Sequence, residues 1–401
     1  MLTSLAFIFL AGLLMAAVCK RLNLPGIIGM LITGIVLGPY VLDLLDPSIL
    51  SVSSDLRHMA LIIILLKAGL SLDLSDLKKV GRPAIMMSCV PASCEILAFF
   101  LLAPSLLGVT RIEAAVMGAV LAAVSPAVVV PRMVRFMDEK YGTKKSIPQL
   151  ILAGASCDDI FVIVLFSTFS GMAQGGHANV MGFVNIPVSI VLGIALGAAA
   201  GFVLSVFFET SYAHRHCVRN SVKVIIVLGV SFLLMAVETW LKGIVSVSGL
   251  LAVVSMACVI RIRCVPQVTA RLSEKFGKLW LAAEVILFVL VGAAVDIRYT
   301  LEAGIAAVAM IFAALIFRGI GVSLCLVKTS LSFKERLFCI IAYLPKATVQ
   351  AAIGSVPLAM GLPCGKIVLS VAVLAILITA PLGAIGIDSA YKKLLTHDEN
   401  G

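Results

Sequence analysis

Apolar runs of about 20 residues, the length that crosses ~30 Å of hydrocarbon as a helix, recur along the chain with short polar breaks between them. They fall at 2–19, 26–42, 57–72, 83–107, 112–136, 147–170, 181–208, 221–240, 243–260, 279–296, 300–326, 335–361 and 365–387. The pattern predicts thirteen transmembrane helices following one another without a long polar insert. A single integral domain spanning 1–401, with no soluble module, is therefore expected. The first run is too long for a cleavable signal peptide, and Lys20 and Arg21 follow it instead of preceding it, so it is expected to stay as the first helix.

Composition agrees with this reading: 61% of the 401 residues are hydrophobic and 13% charged, outside the range of soluble domains. Charge adds an orientation. Lysine and arginine gather in alternate loops, among them Lys78, Lys79 and Arg82, then Arg132 through Lys145, Arg215 to Lys223, Arg261 to Lys278, Lys328 to Arg336, and Lys392 and Lys393. The intervening loops hold only Arg57, Arg111, Lys242, Arg298 and Lys366. The positive-inside rule then puts the N-terminus outside and the C-terminus in the cytoplasm of a cell (inner) membrane. The formal net charge of +10 is topological, and without a basic patch interleaved with aromatics it does not indicate nucleic-acid binding. The ten cysteines lack CxxC or Cys/His spacing and read as small apolar fillers; the five histidines lie in loops or tails. Nothing in the pattern calls for a cofactor.

A few charges remain inside the apolar runs: Lys67, Arg318 and Lys346, with Glu95, Asp158, Asp159 and Glu284. A charge at the bilayer centre costs on the order of 3 kcal/mol even on lenient scales, so such residues face a bundle interior or a watery cavity. Lys67, near a span end, can snorkel to the surface, and Glu284 can be a structural, hydrogen-bonded acid. Asp158 and Asp159 are adjacent in GASCDDI, within a stretch (147–169) that otherwise carries no charge.

Two runs also contain helix breakers. In AAVSPAVVVPRM, residues 122–133, Pro126 and Pro131 bracket three valines, and the chain is expected to unwind between them. In AYLPKATVQAAIG, residues 342–354, Pro345 precedes Lys346, Thr348 and Gln350. Irregular backbone at membrane depth is tolerated only where it lines a protein-buried cavity, and paired interrupted helices point to a transporter's site. The breaks fall in the fifth and twelfth spans, seven apart. That relation makes two repeats of opposite orientation, about 1–170 and 221–387, joined by a linker helix at about 181–208. Half-helix dipole ends would face each other where the broken helices cross, with the aspartate helix beside them.

On GASCDDI, SPAVVVP and LPKATVQAAIG, the chain resembles the NHA branch of the monovalent cation/proton antiporters, related to the NapA and NhaA transporters. The similarity runs from about residue 5 to 390. It implies an all-α, inverted-repeat fold of about thirteen transmembrane helices with two crossed, unwound helices. It also implies a homodimer in which core helices, about 83–170 and 300–387, move against a dimerisation domain in an elevator-type alternating-access cycle. Carried over residue by residue, Asp158 and Asp159 occupy the positions that bind cation and proton. Ser125, Pro126, Val130, Pro131, Pro345, Lys346 and Thr348 belong to the unwound crossing, and Glu95 and Arg318 to an ion pair within the core. The related NapA pattern has a lysine on the helix that holds Arg318 here, which leaves open which acid the arginine pairs with.

The residues themselves support ion exchange. Neighbours on a helix point ~100° apart, so the two aspartates do not make a protease dyad, and an enzyme is not expected. Oxygen ligands suit a small hard cation, and Asp159, Ser156 and carbonyls of residues 126–131 are the expected ligands. One buried carboxylate that holds a proton or a cation, but not both, couples the two flows. Sodium or lithium is favoured over potassium, because paired carboxylates present a high field strength. A potassium/proton antiporter, an ion-coupled symporter of a small organic anion on the same fold, and a channel or sensor remain as alternatives.

Overall fold

The computed structural model describes residues 1–22, 24–71, 81–174, 180–213, 220–241, 247–296 and 304–397. The described residues form helices and no strand; one isolated bridge joins Tyr141 and His397. In chain order the helices are α1 (Leu2–Arg21), α2 (Gly26–Leu37), α3 (Pro47–Ser51), α4 (Ser53–Ser71), α5 (Arg82–Met87), α6 (Val90–Leu107), α7 (Arg111–Leu121), α8 (Pro126–Asp138) and α9 (Ile147–Gln174). They continue with α10 (Val180–Ala213), α11 (Asn220–Trp240), α12 (Gly249–Arg263), α13 (Pro266–Ala293), α14 (Gly304–Cys325), α15 (Phe333–Ala342), α16 (Thr348–Gly354), α17 (Val356–Ala359) and α18 (Gly365–Leu394).

Each of the apolar runs contains helix. Among the described residues, nine helical stretches are long and apolar enough to cross a membrane, and Gly26–Leu37 and Thr348–Ala359 are shorter apolar helices. The ends follow local chemistry. Thr110 opens α7 with a reciprocal cap, its amide donating to Glu113 Oε2 at 2.8 Å while its hydroxyl accepts the Glu113 amide at 3.3 Å. Ser332 and Glu335 repeat the device at the start of α15. Gly108, with φ of +67°, ends α6 in the left-handed region that glycine enters without strain.

Both helix breaks exist, and the first is displaced from its expected place. The chain is non-helical at residues 122–125 and helical from Pro126 to Asp138, so it does not unwind between Pro126 and Pro131. A proline suits the first position of a helix, where its fixed φ is correct and its missing amide would have been unpaired anyway. It acts backwards instead: Ser125, the residue before it, is extended with φ −89° and ψ 109°. Pro131 removes one amide further along without ending α8. The second break spans residues 344–347 and contains Pro345 and Lys346, and Thr348 opens α16.

By internal contacts the chain divides into two compact units. One comprises Met1–Arg57, Asp73–Val162 and Val285–Gly401, the other His58–Leu72 and Ile163–Glu284. In the second, Gly193, Gly197 and Gly201 repeat every fourth residue along one face of α10, and side chains there would run into the carbonyls of Ser248, which caps α12, and of Ala252 and Met256 on α12. This small-residue stripe lets the two backbones touch, the packing that holds helices together where lipid is as apolar as the side chains. Lys67 is half-buried in the same unit, its ammonium 6.0 Å from the centroid of the Trp280 ring. The first unit contains both breaks, α9 as far as the aspartates, and α14.

Candidate functional site

The first break leaves the C-terminal carbonyls of α7 without helical partners at the negative end of its dipole. Side chains from two distant segments take them up. Lys346 Nζ donates to the Leu121 carbonyl at 2.5 Å, Arg318 Nη1 donates to that of Ala122, and Gln350 Nε2 donates to that of Ala123 at 2.7 Å. Lys346 and Gln350 come from the second broken span and Arg318 from α14. The breaks also meet through the backbone, the Ser125 amide donating to the Pro345 carbonyl at 2.8 Å.

Three acids surround the two bases. Glu95, on α6, binds Lys346 Nζ through Oε1 at 2.7 Å and Arg318 Nη1 through Oε2 at 2.8 Å. Asp158 Oδ2 accepts from Arg318 Nη2 at 3.1 Å and from the Val124 amide, in the first break, at 2.8 Å. Arg318 is completely buried and uses its third nitrogen, Nε, to donate to the Tyr343 carbonyl at 2.6 Å. The arginine thus pairs with both Glu95 and Asp158. Asp159 is also buried, 7% exposed, and makes no ion pair among the described residues. With every group ionised, three carboxylates face two cations and one negative charge is left over.

Four buried oxygens at this place have no hydrogen-bond partner among the described residues: Ser125 Oγ, Asp158 Oδ1, Asp159 Oδ1 and the Tyr343 hydroxyl. Buried polar oxygens are ordinarily satisfied, so such a group is suited to receive something else. The donor set is all oxygen, and carboxylates with a hydroxyl fit a hard monovalent cation or a proton.

The structure brings Glu95, Ser125, Asp158, Asp159, Arg318, Pro345 and Lys346 into one cluster, with Thr348 buried at the start of α16. It does not bring the expected carbonyls of 126–131. Pro126, Val130 and Pro131 lie along α8, with Pro131 exposed, and the unwound carbonyls are those before them, which Lys346, Arg318 and Gln350 already occupy. The Ser156 side chain lies outside the described residues.

Gln350 was expected at the second break, whereas Thr379, Gly383 and the buried place of Arg57 carried no sequence signal strong enough to single them out. Gln350 accepts the Ala347 amide at 2.8 Å while donating to α7. Thr379 Oγ1, on α18, accepts the Lys346 amide at 3.0 Å, and one turn later a side chain at Gly383 would overlap the Pro345 ring. The spacing of Thr379 and Gly383, one helical turn within an apolar run, is the faint signal that was there. Arg57, assigned to an outer loop by the charge pattern, is 6% exposed and donates to the Leu290 carbonyl at 3.3 Å.

Comparison with known proteins bears on this arrangement. The family described as "Sodium/hydrogen exchanger, transmembrane" matches residues 5–392. Sodium/hydrogen exchanger 9B2 of Homo sapiens is 34% identical over 390 residues, covering 94% of this chain and 71% of that protein. Sodium/hydrogen exchanger 9B1 of Homo sapiens is 32% identical over 394 residues, covering 93% and 73%. Among solved structures, the sodium proton antiporter MjNhaP1 from Methanocaldococcus jannaschii at pH 8 superposes with a TM-score of 0.81 at 22% identity, over 98% of this chain and 99% of that one. The likeness in three dimensions is one of fold.

Proposed function

The chain belongs to the sodium/hydrogen exchanger family, and on that premise we propose that it is a secondary active antiporter that exchanges sodium or lithium for protons. The observation that carries this reading is the excess carboxylate: Asp159 is buried without a basic partner among the described residues, beside Asp158, which Arg318 and the Val124 amide hold in place. A proton or one monovalent cation brings the formal charge of the cluster to zero, and the empty cluster carries one negative charge. Moving a net charge through low dielectric is costly, so the empty carrier is held back and the loaded forms move. Exchange results from that selection, with the carboxylate taking one ion or the other.

Asp159 is the principal ligand in this reading, and the free Oδ1 of Asp158 and Ser125 Oγ complete the first contacts. Ser156 remains a proposed ligand from the sequence. Glu95, Arg318 and Lys346 are the scaffold, neutralising the carbonyl end of α7 so that the aspartates govern the local charge. The two broken spans cross at their unwound segments as the centre of an inverted repeat, within thirteen transmembrane helices. Core helices at about 83–170 and 300–387 carry the site across in an elevator-type movement. The chain works as a homodimer in the cell (inner) membrane, N-terminus outside, C-terminus cytoplasmic. The names of the relatives, sodium/hydrogen exchangers, support sodium and protons as the exchanged pair. No cofactor and no covalent step enter the cycle.

The test is counterflow with purified protein in liposomes. An imposed pH gradient should drive uptake of radioactive sodium without any organic substrate, and excess unlabelled lithium should compete. Uptake driven only when an organic anion is supplied would make the protein a symporter; competition by potassium at equal strength would remove the size selectivity.

A further inference from the structure

Tyr343 is the last residue before the second break, completely buried, and its hydroxyl has no partner among the described residues. The hydroxyl points at α9. A side chain added at Gly154 would coincide with it, so the absence of a β-carbon at Gly154 is what makes room for it. Gly154 lies one helical turn before Asp158, and side chains on a helix lean toward its N-terminus, so a carboxylate at 158 leans over the turn that contains Gly154. Four residues of helix rise about 6 Å, close to the span of one water with two hydrogen bonds of about 2.8 Å each.

Arg318 gives a second measure of nearness. Its guanidinium carbon lies 5.5 Å from the centroid of the Tyr343 ring, and the same guanidinium binds Asp158 Oδ2 at 3.1 Å. Ring and carboxylate therefore flank one fixed group. The Asp158 oxygen that Arg318 does not take, Oδ1, is likewise without a partner among the described residues. A buried hydroxyl loses its hydration on folding, and two such atoms on one guanidinium are commonly reconciled by an ordered water.

We infer that Tyr343 is a positioning residue of the ion site, its hydroxyl holding a buried water against Oδ1 of Asp158. The inference rests on the antiport reading and deepens it. Through that water the phenol fixes the orientation of the carboxylate that meets the cation. The charged and titratable groups facing Asp158 are Arg318 from α14, Lys346 and Tyr343 from the second broken span, Glu95 through the two bases, Cys89 from the stretch between α5 and α6, and Cys157 and Asp159 on its own helix.

Tyr343→Phe removes one oxygen and keeps the ring under Arg318. A purely structural tyrosine would give a variant equal to or more stable than wild type, with unchanged transport. The inference expects equal stability without sodium, a rise in KM for sodium of about fivefold from loss of one net hydrogen bond, and a turnover at saturating sodium close to wild type. Gly154→Ala, which pushes the hydroxyl off its place while leaving it present, should raise KM in the same way. Tyr343→Phe with wild-type KM overturns the inference. Wild-type exchange in the same vesicles reports separately on the antiport reading. Were that to fail, a map fine enough to show water still decides: density between the Tyr343 hydroxyl and Asp158 Oδ1 is expected, and dry packing there overturns the assignment.

Discussion

The network of Glu95, Arg318, Lys346 and Asp158 allows an ordering of double-mutant energies that a generic buried ion pair would not. Glu95 touches both bases, at 2.7 and 2.8 Å, and Arg318 touches both acids, at 2.8 and 3.1 Å. A contact of that kind, with charges about 3 Å apart, is worth roughly 5 kcal/mol at an effective dielectric of 20. Removing one partner of a buried pair costs about 3–5 kcal/mol, because the other charge stays buried alone. Glu95→Gln, Arg318→Gln and Lys346→Gln should each lose about that much. The doubles differ. Glu95→Gln with Lys346→Gln deletes a matched pair and leaves Arg318 on Asp158, so coupling should be large and favourable, about 2–3 kcal/mol. Glu95→Gln with Arg318→Gln leaves Lys346 and Asp158 without their closest partners and bares the Ala122 and Tyr343 carbonyls. Part of the loss is still recovered, but the coupling should be the smaller of the two. Denaturant titration of all five variants in mixed micelles at neutral pH measures both energies. Additive losses for Glu95 with Lys346, or the reverse order of the two couplings, would refute the charge reasoning.

Asp159→Asn should abolish sodium/proton exchange in liposomes while the protein elutes as a folded species, and Asp158→Asn should impair exchange and change selectivity among sodium, lithium and potassium. Lys346→Gln should move the pH midpoint of sodium-induced thermal stabilisation upward, since the aspartates lose a positive neighbour; an unshifted midpoint would make Lys346 structural only. Gly383→Val places a side chain on the Pro345 ring and should reduce transport more than stability, as read from turnover and unfolding in parallel. Gly197→Ala, whose β-carbon would meet the Ala252 carbonyl, should cost about 1–3 kcal/mol through separation of α10 from α12, with smaller losses if the helices slide to accommodate it.

The helical architecture was legible because it rests on local signals: length and apolarity of the runs, and charge in the loops. The breaks were legible for the same reason, since Pro126 and Pro345 act on the residues next to them. Pro126 does not announce the side on which it acts. Taken as a disruptor of the residues after it, this proline put the unwound chain at 126–131; as an acceptable first helical residue it disturbs the residues before it, at 122–125. The intramembrane charges were conspicuous against the apolar background, and Glu95 and Arg318 do meet. The bifurcation of Arg318 onto Asp158, and the use of Lys346 and Gln350 on α7 carbonyls, depend on backbone far away in sequence. Tyr343 was hidden for a further reason: a tyrosine in an apolar run looks like filler, and only its direction toward Gly154 distinguishes it.

The caps on the carbonyls of α7 have a consequence for biosynthesis. Leu121, Ala122 and Ala123 are made early, but the side chains that satisfy them, Arg318, Lys346 and Gln350, are made near the end. Glu95 and Asp158 wait for the same partners. At about 5–20 residues per second, the nascent chain carries two uncompensated acids and an open helix end for on the order of ten to forty seconds after Asp158 emerges. During that interval the first half must lean on water, lipid headgroups or an insertase, and a chain cut short after α9 has no way to close. Truncations ending between α9 and α14 should therefore be cleared by membrane quality control, and supplying the missing half as a separate polypeptide should rescue them.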